Sequence, residues 1–219
     1  MATPGLPDEV QQHLNTKIRE HLRERMRRLR AALPRAAVAE RSARIVTQLT
    51  SHPAVQSAQG IALFWPMHQR SEVDLIALDT HARAANKRVY YPFLRGNITG
   101  FAEVADPAEL TRQGQAFAEP ALRTPAAARG EIDVIIVPAL VLAADGNRLG
   151  YGRGYYDETL PDHLPPAIAI GVAFDFQLVP EVPTREGDVP LHFIVSDEQS
   201  FAAGSKESGP PRASLRDRR

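Results

Sequence analysis

The chain contains no cysteine, so disulfides, zinc–thiolate sites and cysteine nucleophiles are excluded together. A reducing compartment is compatible with that absence. Charge of one sign is not in excess either, since 26 Lys and Arg balance 26 Asp and Glu. Such neutrality gives no reason to expect nucleic acid or a membrane surface as a partner, while leaving room for a local basic patch that would suit an anionic cofactor. No apolar run approaches the roughly 20 residues of a spanning helix. The first ten residues carry Pro, Gly and acids instead of a basic start and an apolar stretch, so no secretory signal is expected. A cytoplasmic globular protein is the expectation. Its 219 residues fit one domain with a substantial core.

Residues 1–9 read as a flexible leader, 10–202 as a single α/β domain, and 203–219, rich in Ser, Pro and Arg, as a disordered tail. Leu14, Ile18, Leu22, Met26, Leu29 and Leu33 recur at spacings of three and four. That predicts a helix with these residues on one face and Arg19, Arg23, Arg25, Arg27, Arg28 and Arg30 on the others. A second helix is predicted from about 35 to 50 through Val38, Ile45, Val46 and Leu49. Beyond it the apolar runs shorten. Strands are predicted at 61–64 and 89–91, closed by Pro66 and Pro92, with a helix over 73–85 between them. Residues 93–130 are less regular, with a short strand near 97–104. The run at 132–137 reads as a strand buried on both faces, as in a parallel sheet, and 167–172 and 191–195 as two more. Strands alternating with helices predict a layered α/β fold.

The segment Asp145-Gly146-Asn147-Arg148-Leu149-Gly150-Tyr151-Gly152-Arg153-Gly154-Tyr155-Tyr156-Asp157 follows a predicted strand and precedes a predicted helix. Glycines at 150, 152 and 154 permit tight turns and close backbone approach. Successive N–H groups and the following helix terminus converge on an anion in such a loop. Arg148 and Arg153 add guanidinium donors suited to phosphate. No Gly-Lys-Ser/Thr follows, and the spacing is not that of a dinucleotide fingerprint. Asp157 has two compatible readings: an acid favoured in a first helical turn, or a magnesium ligand beside bound phosphates. Tyr155 and Tyr156 are candidates for the core or for stacking on a planar ligand. Glu72 falls just past a strand end, where α/β folds place ligands. The histidines have no ligand-like spacing.

At this loop the chain resembles the 5-formyltetrahydrofolate cyclo-ligase family. The resemblance extends over about residues 15–198: the arginine-rich helix 22–33, Glu72-Val73-Asp74, Lys87 through Pro92, Glu119-Pro120, Gly171, Phe174 and Gln177, and Asp188-Val189-Pro190-Leu191. It implies a three-layer α/β/α sandwich on a mostly parallel sheet, similar to the ribose-phosphate isomerase and CoA-transferase folds. It also implies ATP-dependent cyclisation of 5-formyltetrahydrofolate to 5,10-methenyltetrahydrofolate with Mg²⁺, giving ADP and phosphate. The formyl oxygen attacks the γ-phosphorus, N10 then attacks the activated carbon, and phosphate departs. Carried over, Lys17, Arg19, Arg23, Arg148, Gly150, Tyr151, Gly152, Arg153, Gly154 and Tyr155 would hold ATP, with Arg148 and Asp157 catalytic. Phe64, Glu72 and Tyr156 would face the folate, and Asp157 and Asp188 would lie at the metal. A monomer acting on a small folate, without nucleic acid or membrane, is the expected state. The chain departs from the family pattern at Arg19 (usually Lys), Ala143 (usually an acid), Glu158 (usually basic), and Gly187 and His192 (usually His and Asp). These departures leave a second reading open: a relative that binds ATP but acts on another small substrate, or a non-catalytic nucleotide-binding protein.

Overall fold

The computed structural model describes residues 7–112 and 118–205. Helices α1 (Asp8–Ala31), α2 (Arg35–Ser51) and α3 (Pro53–Ser57) open the chain. Strand β1 (Gly60–Ala62), helix α4 (Ile76–Ala84) and the hairpin of β2 (Arg88–Arg95) and β3 (Ile98–Glu103) follow. β4 (Thr111–Arg112) and β5 (Ala118–Glu119) pair with each other outside the main sheet. Next come β6 (Val134–Pro138), the hairpin of β7 (Val141–Ala143) and β8 (Arg148–Leu149), and helix α5 (Tyr155–His163). β9 (Ile168–Val172), β10 (Leu178–Val179), β11 (Phe193–Val195) and β12 (Ser200–Ala202) complete the described chain. Of the expected leader, residues 1–6 lie outside the described residues, whereas Asp8 and Glu9 already belong to α1. Of the expected tail, 203–205 continue past β12 and 206–219 lie outside the described residues.

Seven strands form one sheet in the order β12-β11-β9-β6-β1-β2-β3. The inner five are parallel, and β3 and β12 are antiparallel edges. Among the parallel strands the chain winds from β1 to β2 on one side, then returns to β6 and proceeds outward through β9 and β11. The reversal between β1 and β6 is a topological switch point, where the crevice beyond the carboxyl ends of an open α/β sheet receives ligands.

Alternation along the strands divides the apolar residues between two faces. Ile61, Val89, Val134, Ile136, Ile170 and Val195 pack with Ile45, Leu49 and Leu78 of α2 and α4. Ala62, Tyr90, Ile135, Val137, Ala169 and Ile194 pack on the other face with Leu160 of α5 and Leu142 of β7. Burying each large aliphatic side chain contributes about 1.5–3 kcal/mol, so the sheet is held from both sides in three layers.

Two expectations need correction. Pro92 does not end its strand, because β2 continues to Arg95 with Pro92 opposite Phe101 of β3. Tyr90 O accepts from Leu63 N on the β1 side, so the alternate residues 90, 92 and 94 turn their amides that way. β1 has ended by position 92 and the missing N–H costs no ladder bond. At Leu94 the exposed donor is met by the Glu119 carboxylate, 2.8 Å away.

The second correction concerns α1. Of the predicted apolar face, Leu14, Ile18 and Leu29 are exposed, while Met26 is buried together with Arg19 and Arg30. Met26 seats the helix against Leu140, Val141, Ala143, Leu149 and Val182. The face turned inward is rich in arginine because it meets carbonyls and carboxylates, and buried guanidinium groups require such partners.

His163, at the carboxyl end of α5, is buried against Phe101 with ring centroids 5.5 Å apart, and its Nδ1 has no hydrogen-bond partner among the described residues. Burial pushes its pKa below the ordinary 6.5, and Arg129 adds to the effect against the opposing pull of Asp162. The unfolded chain therefore binds a proton first as pH falls. Stability contributed by the neutral ring is present above about pH 6.5 and is lost below it. Urea unfolding at pH 8, 6 and 5 is expected to show a falling midpoint that His163→Leu makes shallower. His52, depressed by burial in the same direction, accounts for part of the remaining slope.

Candidate active site

A cavity of about 520 Å³ lies beyond the carboxyl ends of β1 and β6 and beside the middle of β2, with Phe64, Trp65, Pro92 and Pro138 in its wall. It therefore occupies the switch point. A second wall comes from the chain after β8 and the first turn of α5, Gly150 through Glu158, and a third from Arg19 and Arg23 of α1 facing Arg185 through Asp188. The volume suits a drug-sized ligand.

The glycine-rich segment divides in two. Residues 145–149 form the tip and second strand of the β7–β8 hairpin, and of these only Arg148 lines the cavity. Asp145 caps that tip by accepting from Asn147 N at 2.9 Å and Asn147 Nδ2 at 2.8 Å. The acid usual at Ala143 is therefore not supplied by Asp145, and Ala143 itself is fully buried under α1. Beyond Arg148 the wall is continuous from Gly150 to Glu158. The N–H groups of residues 150–154 make no hydrogen bonds among the described residues. Gly152 and Gly154 have positive φ values of 93° and 70°, a conformation that turns successive amides to one side and favours glycine. Gly154 then caps α5 without a side-chain bond, so the helix terminus is left open toward the cavity.

Arginines crowd this end. Arg23 Nε donates to Gly150 O at 2.9 Å and lies beside Gly152. Burial, then repulsion from Arg19, Arg185 and Arg27, lowers its pKa despite the nearby Asp188. A guanidinium stays charged under such pressure, so the crowding favours a bound anion. Arg153 makes no ion pair or hydrogen bond among the described residues, and Arg185 reaches Thr16 Oγ1 at 3.0 Å.

The other arginines are engaged. Arg148 Nη2 is 2.7 Å from Asp157 Oδ1, and its Nη1 donates to Val189 O. Burial lowers the pKa of Arg148 while Asp157 opposes the shift. Arg19 Nη1 is 2.6 Å from Asp188 Oδ2 and donates also to Pro183 O at 2.8 Å. For Asp188, burial would raise the carboxyl. The Arg19 and Arg185 N–H bonds, with the charges of Arg19 and Arg148, outweigh it and hold the pKa below the ordinary value.

These pairs bear on the expected metal ligands. Asp157 and Asp188 both face arginines, and no group of three His, Asp or Glu suited to a metal occurs among the described residues. The donor set does not fit a magnesium ion held by the protein alone. Lys17 is likewise not brought to the site. It is exposed on α1 near Glu20, 3.9 Å away.

At the opposite end the wall is apolar and aromatic. Phe64, Trp65, Tyr151 and Tyr156 line it together with the Glu72 carboxylate, which is buried. Glu72 accepts from Met67 N at 2.9 Å and from Tyr151 Oη at 2.8 Å. Burial and the Glu72 charge push the Tyr151 phenol up to about 12, against the Arg30 charge. Tyr155 also borders the cavity, but its hydroxyl donates to Gly100 O of β3, so it braces α5 against the sheet edge. Trp65, Arg70, Pro92, Pro138 and Arg185 are wall residues that local patterning does not single out. Pro138 ends up there as the last residue of β6 and Pro92 as the residue of β2 just beyond the end of β1, both flanking the switch point, which becomes visible only once strand order is known.

A five-stranded parallel core with its cleft at the switch point, cationic at one end and aromatic at the other, is the architecture of an α/β enzyme. The chain belongs to the 5-formyltetrahydrofolate cyclo-ligase family, whose model matches residues 15–197. It is 32% identical over 178 residues to the 5-formyltetrahydrofolate cyclo-ligase of Escherichia coli, covering 78% of this chain and 96% of that one. Its identity to the enzyme of the same name from Haemophilus influenzae is 30% over 188 residues, covering 83% and 99%. Among solved structures, the 5,10-methenyltetrahydrofolate synthetase of Aquifex aeolicus superposes with a TM-score of 0.75 at 25% identity, covering 90% of this chain and 99% of that one.

Proposed function

We propose that this protein is an ATP-dependent ligase that closes 5-formyltetrahydrofolate to 5,10-methenyltetrahydrofolate, with release of ADP and phosphate. One observation carries the reading: a single cavity joins an arginine-lined backbone cradle to an aromatic wall with a buried carboxylate. The cradle suits a triphosphate, with unpartnered amides from 150–154 and the free charges of Arg23 and Arg153 supplying donors. The aromatic end suits a flat heterocycle, against which Trp65 and Tyr156 offer ring surface and Glu72 offers acceptors for N–H groups.

The reaction needs the formyl oxygen in line with the γ-phosphorus. When the oxygen attacks, the bond to the bridging oxygen breaks and ADP leaves. N10 then attacks the formyl carbon and loses its proton, and the carbon–oxygen bond breaks to release phosphate. Charge accumulates on phosphoryl oxygens throughout, so positioning and neutralisation are the main tasks for the chain. Arg23 and Arg153 meet that charge, and Glu72 with the aromatic wall fixes the heterocycle so that its formyl group points at the cradle. Asp157 orients Arg148 through Oδ1, and magnesium, which would be supplied with the nucleotide, would neutralise charge on its phosphates. The enzyme acts as a monomer in the cytoplasm.

The test is a turnover assay with MgATP and 5-formyltetrahydrofolate, following the near-ultraviolet rise of the methenyl product. An ATP-dependent rise is expected. Arg153→Ala is expected to raise the KM for ATP about tenfold, or about 1.4 kcal/mol, with the folate KM unchanged. Protein that binds ATP but gives no rise with this folate would overturn the assignment.

A further inference from the structure

Arg30 lies outside the cavity wall, yet three parts of the wall converge on it. It is 4% exposed, on the inward face of α1 one turn beyond Met26. Its Nε donates to Arg70 O at 3.0 Å, and its Nη2 donates to the same carbonyl and to Tyr151 Oη at 2.8 Å. Helix α1, the segment after β1 and the start of the glycine-rich wall are thus joined through one side chain.

The donor count gives the arrangement a direction. A guanidinium donates and cannot accept. Tyr151 Oη therefore accepts from Arg30, and its own single proton is directed to Glu72 Oε1, 2.8 Å away. Met67 N occupies Oε2 at 2.9 Å. Each Glu72 oxygen takes one bond from the protein, which fixes the carboxylate plane and leaves its remaining lone pairs for a ligand. Arg30 Nη2 is 3.8 Å from Glu72 Oε1, so the link runs chiefly through the phenol. The Arg70 guanidinium lies 4.6 Å from the Tyr151 ring centroid and limits rotation of the ring.

A purely structural need is better met by an apolar residue. A buried cation carries a desolvation penalty, and replacing buried ionic groups with apolar ones of similar size is often neutral for stability. Met26 shows that this face of α1 accepts such a residue. We propose that Arg30 is a positioning residue: through Tyr151 it sets the orientation of Glu72, and so governs binding of the flat, hydrogen-bond-donating substrate. The substrate assignment rests on the function proposed above, whereas the Arg30–Tyr151–Glu72 linkage does not.

The experiment compares Arg30→Met, Arg30→Lys, Tyr151→Phe and the double variant Arg30→Met/Tyr151→Phe. Trp65 is the only tryptophan and lies in the same wall, so acrylamide quenching of its emission reports on that wall in the ligand-free protein. Quenching is expected to rise in Arg30→Met and Tyr151→Phe, with no further rise in the double variant. In turnover, each single change is expected to raise the folate KM about tenfold with kcat within about threefold, and the double variant to be no worse than either, as for residues acting in one chain. Arg30→Lys, which keeps a donor for the phenol, is expected to recover most of the folate KM. Additive effects in the double variant would overturn the proposal, as would unchanged quenching in both single variants. Tyr151→Phe removes one oxygen and keeps the test valid if Arg30→Met does not fold. If the wild type does not turn over 5-formyltetrahydrofolate, the function is wrong, and the quenching series alone decides the role of Arg30.

Discussion

Arg148→Ala is expected to lose about 100-fold or more in kcat/KM and about 3 kcal/mol of stability. The expectation follows from what Arg148 holds. Its side chain is 5% exposed and bonded to Asp157 in the first turn of α5 and to Val189 O in the segment beyond Asp188. Removing it leaves a carboxylate facing the end of the cavity proposed to take the triphosphate, and frees the two walls that the fork joins. The loss of rate is assigned to that misplaced negative charge, and not to a lost direct contact with phosphate. Arg148→Ala combined with Asp157→Asn tests this. If the orphaned charge is the cause, the double variant recovers stability and part of the rate, a coupling measurable by a double-mutant cycle. If the guanidinium itself contacts the transferring group, the second change recovers stability only. Arg148→Lys is expected to fall between, because one ammonium cannot reach both partners as a fork does.

The largest effect on stability alone is expected at Gly146. Its φ is 92°, and a Cβ built there would lie 2.4 Å from Leu191 O and 3.1 Å from Leu191 N. Both are backbone atoms, held by the hydrogen bond from Leu191 N to Gly146 O, so neither gives way cheaply. Left-handed strain of about 1–2 kcal/mol adds to an overpacking cost of about 1–3 kcal/mol. Gly146→Ala is therefore expected to lower stability by about 3 kcal/mol or more, near 10 °C in Tm for a chain of this size. Gly96→Ala is the control. Its φ of 63° carries the strain, but nothing lies within 4 Å of the added carbon, so a loss of only about 1 kcal/mol is expected. Equal losses at the two positions, measured by thermal unfolding, would show that contact with Leu191 has no part in the effect. The kcat of Gly146→Ala at low temperature should stay near wild type, since the hairpin tip does not line the cavity.

Much of the fold was legible in local pattern. The runs at 61–64, 132–137 and 167–172 announced buried strands because a strand covered on both faces must be apolar at every position. Glycines at 150, 152 and 154 followed by a helix announced a cradle because positive φ and open amides are local properties of the chain. Residues 145–149 do not continue the loop of 150–154, because a two-strand hairpin and a loop share the same small residues over such a short span; Arg148 lines the cavity from the hairpin. Pro92 read as a stop because the lost N–H was judged without knowing that β1 had already ended beside it.

The sequence by itself determined the layered α/β class, the glycine-rich cradle, and the arginines of α1 as a group, each being set by neighbours a few residues apart. Tertiary structure decided which of those arginines meet what. Arg19 is paired with Asp188, Arg23 borders the cradle, Arg30 is bonded to Tyr151, and Lys17 is left in solvent. A helix presents every face to the same sequence rule, and only the surface packed against it selects the one that is buried. On α1 that surface is carbonyl and carboxylate, so the buried face is cationic, and the apolar stripe of Leu14, Ile18 and Leu29 is left exposed. The partners of Asp157 and Asp188 were decided in the same way: a carboxylate beside a phosphate loop suits a metal or an arginine equally well in sequence, and the fold sets an arginine 2.6–2.7 Å from each.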